Sequence, residues 1–505
     1  MNTTSLGRRD LLRAAALATQ AASGAPAQTA QRPAPPVRRK GEQPPNILWV
    51  CSDQQRFDTV EGLNNAHIRT PNLKQFMTQA CTFTHAFVQN PVCSPSRASF
   101  LTGRYPHTTG LCANGQRIRS DERLITRTLA DAGYTCGLAG KLHLSPVAGG
   151  RLEDRIEDGY SRFDWSHDIQ NLWPGHNMWH VWLQSKGVKW PERIPDPGGV
   201  PLPAKFMQTD WCADRAIDFM RQQREFGPWL MSVNIYQPHH PFLPAQEFLE
   251  RYDAEKLPGP AWQNGELASK PVYQSRAQMN ASYPFLKKTE LERRRVTAAY
   301  YAMIEQVDSA FGRMLAALEE SGQADNTIVI YMSDHGEMLG DHGFYLKGPH
   351  FYDPAMRVPL MIRWPGKYRA GVKLDALVEM IDLAPTLLEA TGLPVSEGMQ
   401  GQSLMPLLTG AASAHRDSVY MEFYDMRRRP YEPVTATTVR SRNARLTVYH
   451  NLKTGELYDL ARDPGEFTNL WETASARPLR EEMMAALISR MAATVDPLPL
   501  RSAPW

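Results

Sequence analysis

Four apolar runs, far apart in the chain, each stop abruptly at polar residues: 46–51 (Asn-Ile-Leu-Trp-Val-Cys), 134–139, 229–236 and 327–332. Short, near-continuous apolar runs are the pattern of strands buried on both faces, as in parallel sheets covered by helices. This constrains the fold more than any other feature, because parallel strands bring their carboxyl ends to one edge of the sheet, where open α/β folds hold ligands. Asp53 and Gln54 follow the first run, and Lys141 and His143 follow the second. His239 follows the third, in Gln237-Pro238-His239-His240-Pro241-Phe242, and Asp334 and His335 follow the fourth. Taken singly, each has an ordinary reading: a turn former or helix N-cap for Asp53, a surface lysine for Lys141, a satisfied core histidine for His143. Their expected convergence on one edge is the reason to read them as a site.

A fifth stretch, Pro91-Val92-Cys93-Ser94-Pro95-Ser96-Arg97-Ala98-Ser99, reads as a helix start. Ser94 is a good N-cap, Pro95 suits the first helical position, Ala98 and Leu101 supply an apolar face, and Gly103 ends the helix. Cys93 then sits where unpaired N–H groups and the helix dipole favour an anion, and Arg97 reaches back towards it from one turn on. A buried cysteine ahead of a structural helix is the alternative. The pattern Cys-x-Pro-Ser-Arg, however, would arise by chance on the order of once in a thousand chains of this length.

These motifs resemble the sulfatase family of the alkaline-phosphatase-like hydrolases. The match runs on through Arg97-Ala98-Ser99-Phe100-Leu101-Thr102-Gly103-Arg104-Tyr105-Pro106. It also includes Gly140-Lys141-Leu142-His143, Pro238-His239-His240-Pro241-Phe242, Asp334-His335-Gly336-Glu337 and Gly340-Asp341-His342-Gly343. The resemblance implies an α/β/α sandwich with a large mixed, mostly parallel sheet, plus a smaller C-terminal domain with an antiparallel sheet and a helix. It implies oxidation of Cys93 to formylglycine by a maturation enzyme, and a divalent metal held by Asp53, Gln54, Cys93, Asp334 and His335. Gln54 replaces the family's usual second Asp. Calcium is the family's usual ion and suits the oxygen ligands; the His335 imidazole and the missing carboxylate leave Mn²⁺ or Zn²⁺ open. The implied catalytic set is Cys93, Arg97, Lys141, His143, His239 and Lys347. In that scheme Arg97 polarises the hydrated aldehyde, Lys141 neutralises sulfate oxygens, and His143 takes a proton from the hydrate. His239 and Lys347 serve the leaving oxygen. The implied substrate is a small-molecule sulfate ester of an alkyl, aryl or sugar alcohol. A phosphonate monoester or phosphodiester hydrolase and a non-catalytic homologue on the same scaffold are the alternatives.

The remaining chain sorts by periodicity. Residues 210–223 and 291–321 read as helices, the second long and apolar at spacings of three and four from Val296 to Leu318, with Gly322 as its C-cap. Residues 382–392 add a scaffold helix, and 357–366 read as a further strand. Residues 164–203, rich in Trp, His and Pro, carry Trp173, His176, Trp179, His180, Trp182 and Trp190, which suit core packing or a pocket rim. Residues 251–286 look like an irregular surface excursion. Short alternating runs at 418–423, 435–439, 446–450 and 456–460, with a helix at 478–493, define the C-terminal part.

Four segments follow: a signal peptide over 1–27, a disordered linker over 28–45, a catalytic domain over 46–410 and a C-terminal subdomain over 411–505. The signal reading rests on Gly7-Arg8-Arg9-Asp10-Leu11-Leu12 and the alanine-rich stretch behind it, a twin-arginine export pattern that implies a periplasmic or secreted protein. A net charge of +3 with 22% charged residues is too balanced for a nucleic-acid binder. No apolar run is long enough to cross a membrane. Six cysteines occur without a Cys-x-x-Cys pair, which argues against a zinc ribbon and leaves one or two disulfides open. Oligomeric state has no sequence signal.

Overall fold

The computed structural model describes residues 43–147, 152–169, 176–280, 283–425 and 433–499. The signal peptide, nearly all of the linker and Trp173 lie outside the described residues.

Among the described residues the principal sheet has nine strands. These are β1 (Asn46–Ser52), β2 (Cys81–Phe87), β3 (Thr135–Gly140), β4 (Arg162–Trp165), β5 (Trp229–Ile235), β6 (Thr327–Ser333), β7 (Arg357–Arg363), β8 (Val372–Leu374) and β9 (Val378–Glu379). Their order is β4-β3-β5-β1-β6-β7-β2-β8, with β9 also on β2. The first five in that order are mutually parallel, and β7 runs antiparallel to both its neighbours. The four apolar runs are therefore four adjacent central strands, β3-β5-β1-β6.

Side-chain alternation along β1 builds two cores, one on each face of the sheet. Leu48 and Val50 join Met231, Val233, Val329 and Tyr331 on one face. That face is covered by α2 (Gln208–Gln223) and α3 (Glu290–Glu320) through Trp211, Phe219, Phe311 and Met314. Ile47, Trp49 and Cys51 face the other way, with Phe100 and Leu101 of α1 (Cys93–Thr102) and Leu387 and Leu388 of α4 (Leu383–Ala390). The long helix starts on a capping box, Thr289 with Glu292. It ends one residue earlier than expected, with Ser321 as C-cap and Gly322 just beyond it at φ +70°.

The C-terminal part is an antiparallel sheet of β10 (Ser418–Asp425), β11 (Val434–Ser441), β12 (Ala444–Tyr449) and β13 (Thr454–Asp459). Val439, Leu446 and Leu457 pack under Met483 and Leu487 of α5 (Arg477–Ala493). Val419, Met421 and Phe423 point the other way, into the core of the principal sheet. The expected sandwich with a smaller antiparallel subdomain is the fold observed.

Three expectations need correction. Helix α1 begins at Cys93, with Val92 as N-cap, so Ser94 does not cap it and Pro95 is not its first residue. One first-turn donor is satisfied from outside the helix, Asn114 Oδ1 accepting from Ser94 N, while Asn90 Oδ1 accepts from the N–H of the N-cap Val92, both at 3.0 Å. Pro95 is tolerated because a first-turn N–H has no intrahelical partner to lose. The 251–286 excursion is not wholly superficial: it forms the helix Val272–Asn280, and Lys270, Tyr273 and Gln274 are buried against the 349–352 and C-terminal segments. All six cysteines are free thiols, so no disulfide forms.

Candidate active site

Sheet register assembles the site. Ser52 pairs with Ser333 and with Ile235, and Gly140 pairs with Asn234, so residues 53, 334, 236 and 141 leave the sheet side by side. Backbone bonds carry the pairing one step past the strands: Asp53 N donates to Ile235 O (3.0 Å), Lys141 N to Asn234 O (3.0 Å) and Asp334 N to Ser52 O (3.3 Å). Gly140 must be glycine here, since at φ +106° a Cβ would lie 1.9 Å from Asn234 O. Gln54 and His143 exit their strands in the left-handed region, at φ 72° and 64°. Such backbone persists only where its surroundings hold it. Asp334 Oδ1 accepts from Gln54 N (3.0 Å), Tyr300 OH donates to Gln54 O (2.6 Å), and the Glu153 carboxylate accepts from His143 N at 2.9 and 2.7 Å.

At the centre is the Cys93 sulfur, at the head of α1 and 1% exposed. It lies 3.1 Å from His335 Nε2, 3.0 Å from Lys347 Nζ and 3.7 Å from Asp53 Oδ1. His143 and His239 are also within hydrogen-bonding reach of it. Arg97 is buried beneath, its Nε donating to Asp334 Oδ2 (2.8 Å), one terminal nitrogen to Lys141 O (2.8 Å) and the other to Asp53 Oδ2 (3.4 Å). Lys141 Nζ sits 2.5 Å from Asp53 Oδ2. Lys347, which alone reads as a solvated lysine, is half-buried with Nζ 2.6 Å from Gln54 Oε1. Every residue expected at the site is thus brought together. His240, next to His239 in the same motif, is half-buried and stacked on His239 with ring centroids 4.2 Å apart.

Electrostatics follow from this packing. Burial and the neighbouring sulfur push the Asp53 carboxyl up, but Lys141 and Lys347, joined by His239 where that ring is protonated, outweigh them and hold it well below the usual carboxylate range. Burial opposes ionisation of Cys93, yet Lys141, Lys347 and His335 draw its thiol well below the ordinary value. Burial, then the charge of Lys141, lowers His143; burial, then Lys347, lowers His239. Both imidazoles are therefore neutral at pH 7.

The donor atoms fit a divalent cation. Asp53, Cys93, Asp334 and His335 each offer one ligand atom, all within 4.8 Å of one another and all buried. His335 Nδ1–H donates to Gly336 O (2.8 Å), which turns Nε2 towards the cluster; once deprotonated, that nitrogen offers its lone pair to an ion, the arrangement that orients ligating imidazoles.

Some residues that build the site carried no assigned role in the sequence. Glu337 is visible in the Asp-His-Gly-Glu motif, but its contact with Gln54 emerges only from the fold. Glu153, Tyr300 and Asn114 had no signal at all. Glu153 carries a consequence for stability. Burial raises its carboxyl to about 8, against the hydrogen bond from His143 N and the charges of Arg97 and Lys141. A raised carboxyl contributes stability that is complete below the unfolded value of 4.5 and is lost as pH climbs through the folded one. Between pH 6 and pH 9 the protein is expected to lose about 2–3 kcal/mol from this group. Urea midpoints at the two pH values should show the loss, and Glu153→Gln should flatten it.

Comparison with known proteins places this architecture. The sulfatase family model matches residues 45–393, and a model described as N-sulphoglucosamine sulphohydrolase, C-terminal, matches 340–493. The chain belongs to the sulfatase family. An arylsulfatase of Clostridium perfringens is 30% identical over 448 residues, covering 84% of this chain and 90% of that one. Among solved structures, phosphonate monoester hydrolases from Silicibacter pomeroyi and Agrobacterium radiobacter superpose with TM-scores of 0.78 each, at 25% and 26% identity. They cover 90% of this chain and 96% and 97% of their own. The family implies a divalent metal and a formylglycine, and the buried donor set accommodates the first.

Proposed function

We propose that this sulfatase hydrolyses sulfate monoesters of alkyl, aryl or sugar alcohols through residue 93, with Asp53, Gln54, Asp334 and His335 holding the metal. The observation that carries the proposal is the Cys93 sulfur at a helix start, ringed by Lys141, Arg97 and Lys347 and by the metal-ligand set. Oxidised by a maturation enzyme and hydrated, residue 93 would supply two hydroxyls on one carbon, one to attack sulfur and the other to release the sulfate. Arg97 and Lys141 keep positive charge fixed where the sulfate oxygens develop theirs. His143, neutral and beside residue 93, accepts the proton whose loss frees the sulfate. Lys347 donates to the departing oxygen. His239 commits its Nδ1–H to His240 O (2.5 Å) and so presents a bare Nε2. An anionic ester bound beside it favours its protonation, which makes it a second donor.

Calcium is the proposed ion on the strength of three oxygen donors, with Mn²⁺ or Zn²⁺ favoured by the His335 nitrogen. The twin-arginine pattern at Arg8-Arg9 supports export to the periplasm or beyond. One observation favours a second reading, a phosphonate monoester or phosphodiester hydrolase: the two superposing structures named above. Rates on 4-nitrophenyl sulfate and 4-nitrophenyl phenylphosphonate separate the two. The sulfate is expected to turn over faster, both activities are expected to vanish with a chelator, and a large preference for the phosphonate would reverse the assignment.

A further inference from the structure

Glu337 is fully buried in the loop after β6, two residues past His335. Its two oxygens have separate tasks. Oε1 accepts from the backbone N–H groups of Leu339 (2.8 Å) and Leu346 (2.5 Å), and so fastens both ends of the loop that delivers Lys347. Oε2 accepts from the Gln54 side-chain amide. The other end of that amide, Oε1, accepts from Lys347 Nζ at 2.6 Å, and the same nitrogen stands 3.0 Å from the Cys93 sulfur.

Gln54 is therefore clamped between a group that only accepts hydrogen bonds and a group that only donates them. A carboxylate has no proton to give and an ammonium has no lone pair, so just one orientation of the amide satisfies both. In it the NH₂ turns to Glu337 and the carbonyl oxygen turns to the side of Lys347 and Cys93. We infer that Glu337 is a positioning residue that sets which end of the Gln54 amide is offered to the metal and to Lys347. The inference rests on Gln54 serving the metal, as proposed above. In physical terms, the carboxylate missing at position 54 is present one hydrogen bond further out.

The clamp makes a specific demand of the isosteric variant Glu337→Gln. Two backbone N–H groups still point at the inner atom of residue 337, so that atom must remain the carbonyl oxygen. The new NH₂ then faces Gln54, which meets donors at both ends and can satisfy only one of them. Adding Gln54→Glu relieves the conflict, because a carboxylate at position 54 accepts from the new amide at position 337 on one side and from Lys347 on the other.

Titration calorimetry of metal-depleted full-length protein with CaCl₂, and separately with MnCl₂, tests this without reference to turnover. E337Q is expected to bind whichever ion the wild type prefers about 10–100-fold more weakly, within the range seen when outer-shell partners of metal ligands are removed. Its melting temperature without metal should fall by only a few degrees, the cost of one unsatisfied donor, since both loop amides keep their acceptor. The double variant Q54E/E337Q is expected to regain wild-type affinity within about threefold. Unchanged affinity in E337Q, or a double variant no better than the single, would overturn the inference. If E337Q fails to fold, the double variant decides alone: recovered folding and binding uphold the clamp, and their absence refutes it. Failure on sulfate esters would instead strike the proposed function, because calorimetry reads the ion only.

Discussion

Alanine at position 93 is expected to lower kcat/KM on 4-nitrophenyl sulfate by about 10⁴ or more, as loss of a covalent nucleophile does elsewhere. Serine at the same position separates two roles that alanine cannot. A serine hydroxyl is positioned to take the sulfuryl group, but it lacks a second hydroxyl on the same carbon with which to release it. A burst of about one equivalent of 4-nitrophenol per enzyme, followed by near-silence, is the expected trace in a stopped-flow assay. Steady turnover by the alanine variant at the wild-type rate would remove residue 93 from the chemistry altogether. Neither substitution is expected to unfold the protein, because each replaces a small side chain whose neighbours retain their own ion pairs.

The second large effect is on stability. Arg97 is fully buried, and its fork ties Asp334, Asp53 and the Lys141 carbonyl into one rigid group. Arg97→Met fills a similar volume with an apolar chain and leaves the Asp334 carboxylate short of a partner. Breaking a buried pair in this way costs about 3–5 kcal/mol. Urea denaturation should show it as a lower midpoint, and the variant should also lose activity. Arg97→Lys keeps the charge but not the fork, so it is expected to recover only part of either loss.

Much of the centre was legible in the sequence because the central strands are buried on both faces. The runs ending at Asp53, Lys141, His239 and Asp334 show as apolar blocks for that reason alone, and the parallel arrangement does the rest. Strand β2 went unread because it mixes Thr82, Thr84 and His85 with apolar residues although most of it is buried, and its register is broken between Phe83 and Ala86. Ser94 looked like a cap because its type suits one; the true acceptors, Asn90 and Asn114, act from outside the helix. Glu153 could not be found, since the sequence between it and His143 carries no periodic pattern that would pair the two. Glu337 was visible as a letter in a motif, but its partner Gln54 follows a different strand, and only sheet register brings the two together.

Arg97 and Lys141 have a consequence for the order of events in this molecule. Small metal-dependent domains leave their ligands mutually repulsive until an ion arrives, so ion capture and chain collapse are one transition. Here the two aspartates are already answered by cations of the same polypeptide. Repulsion between the two carboxylates is therefore no obstacle to folding ahead of the ion.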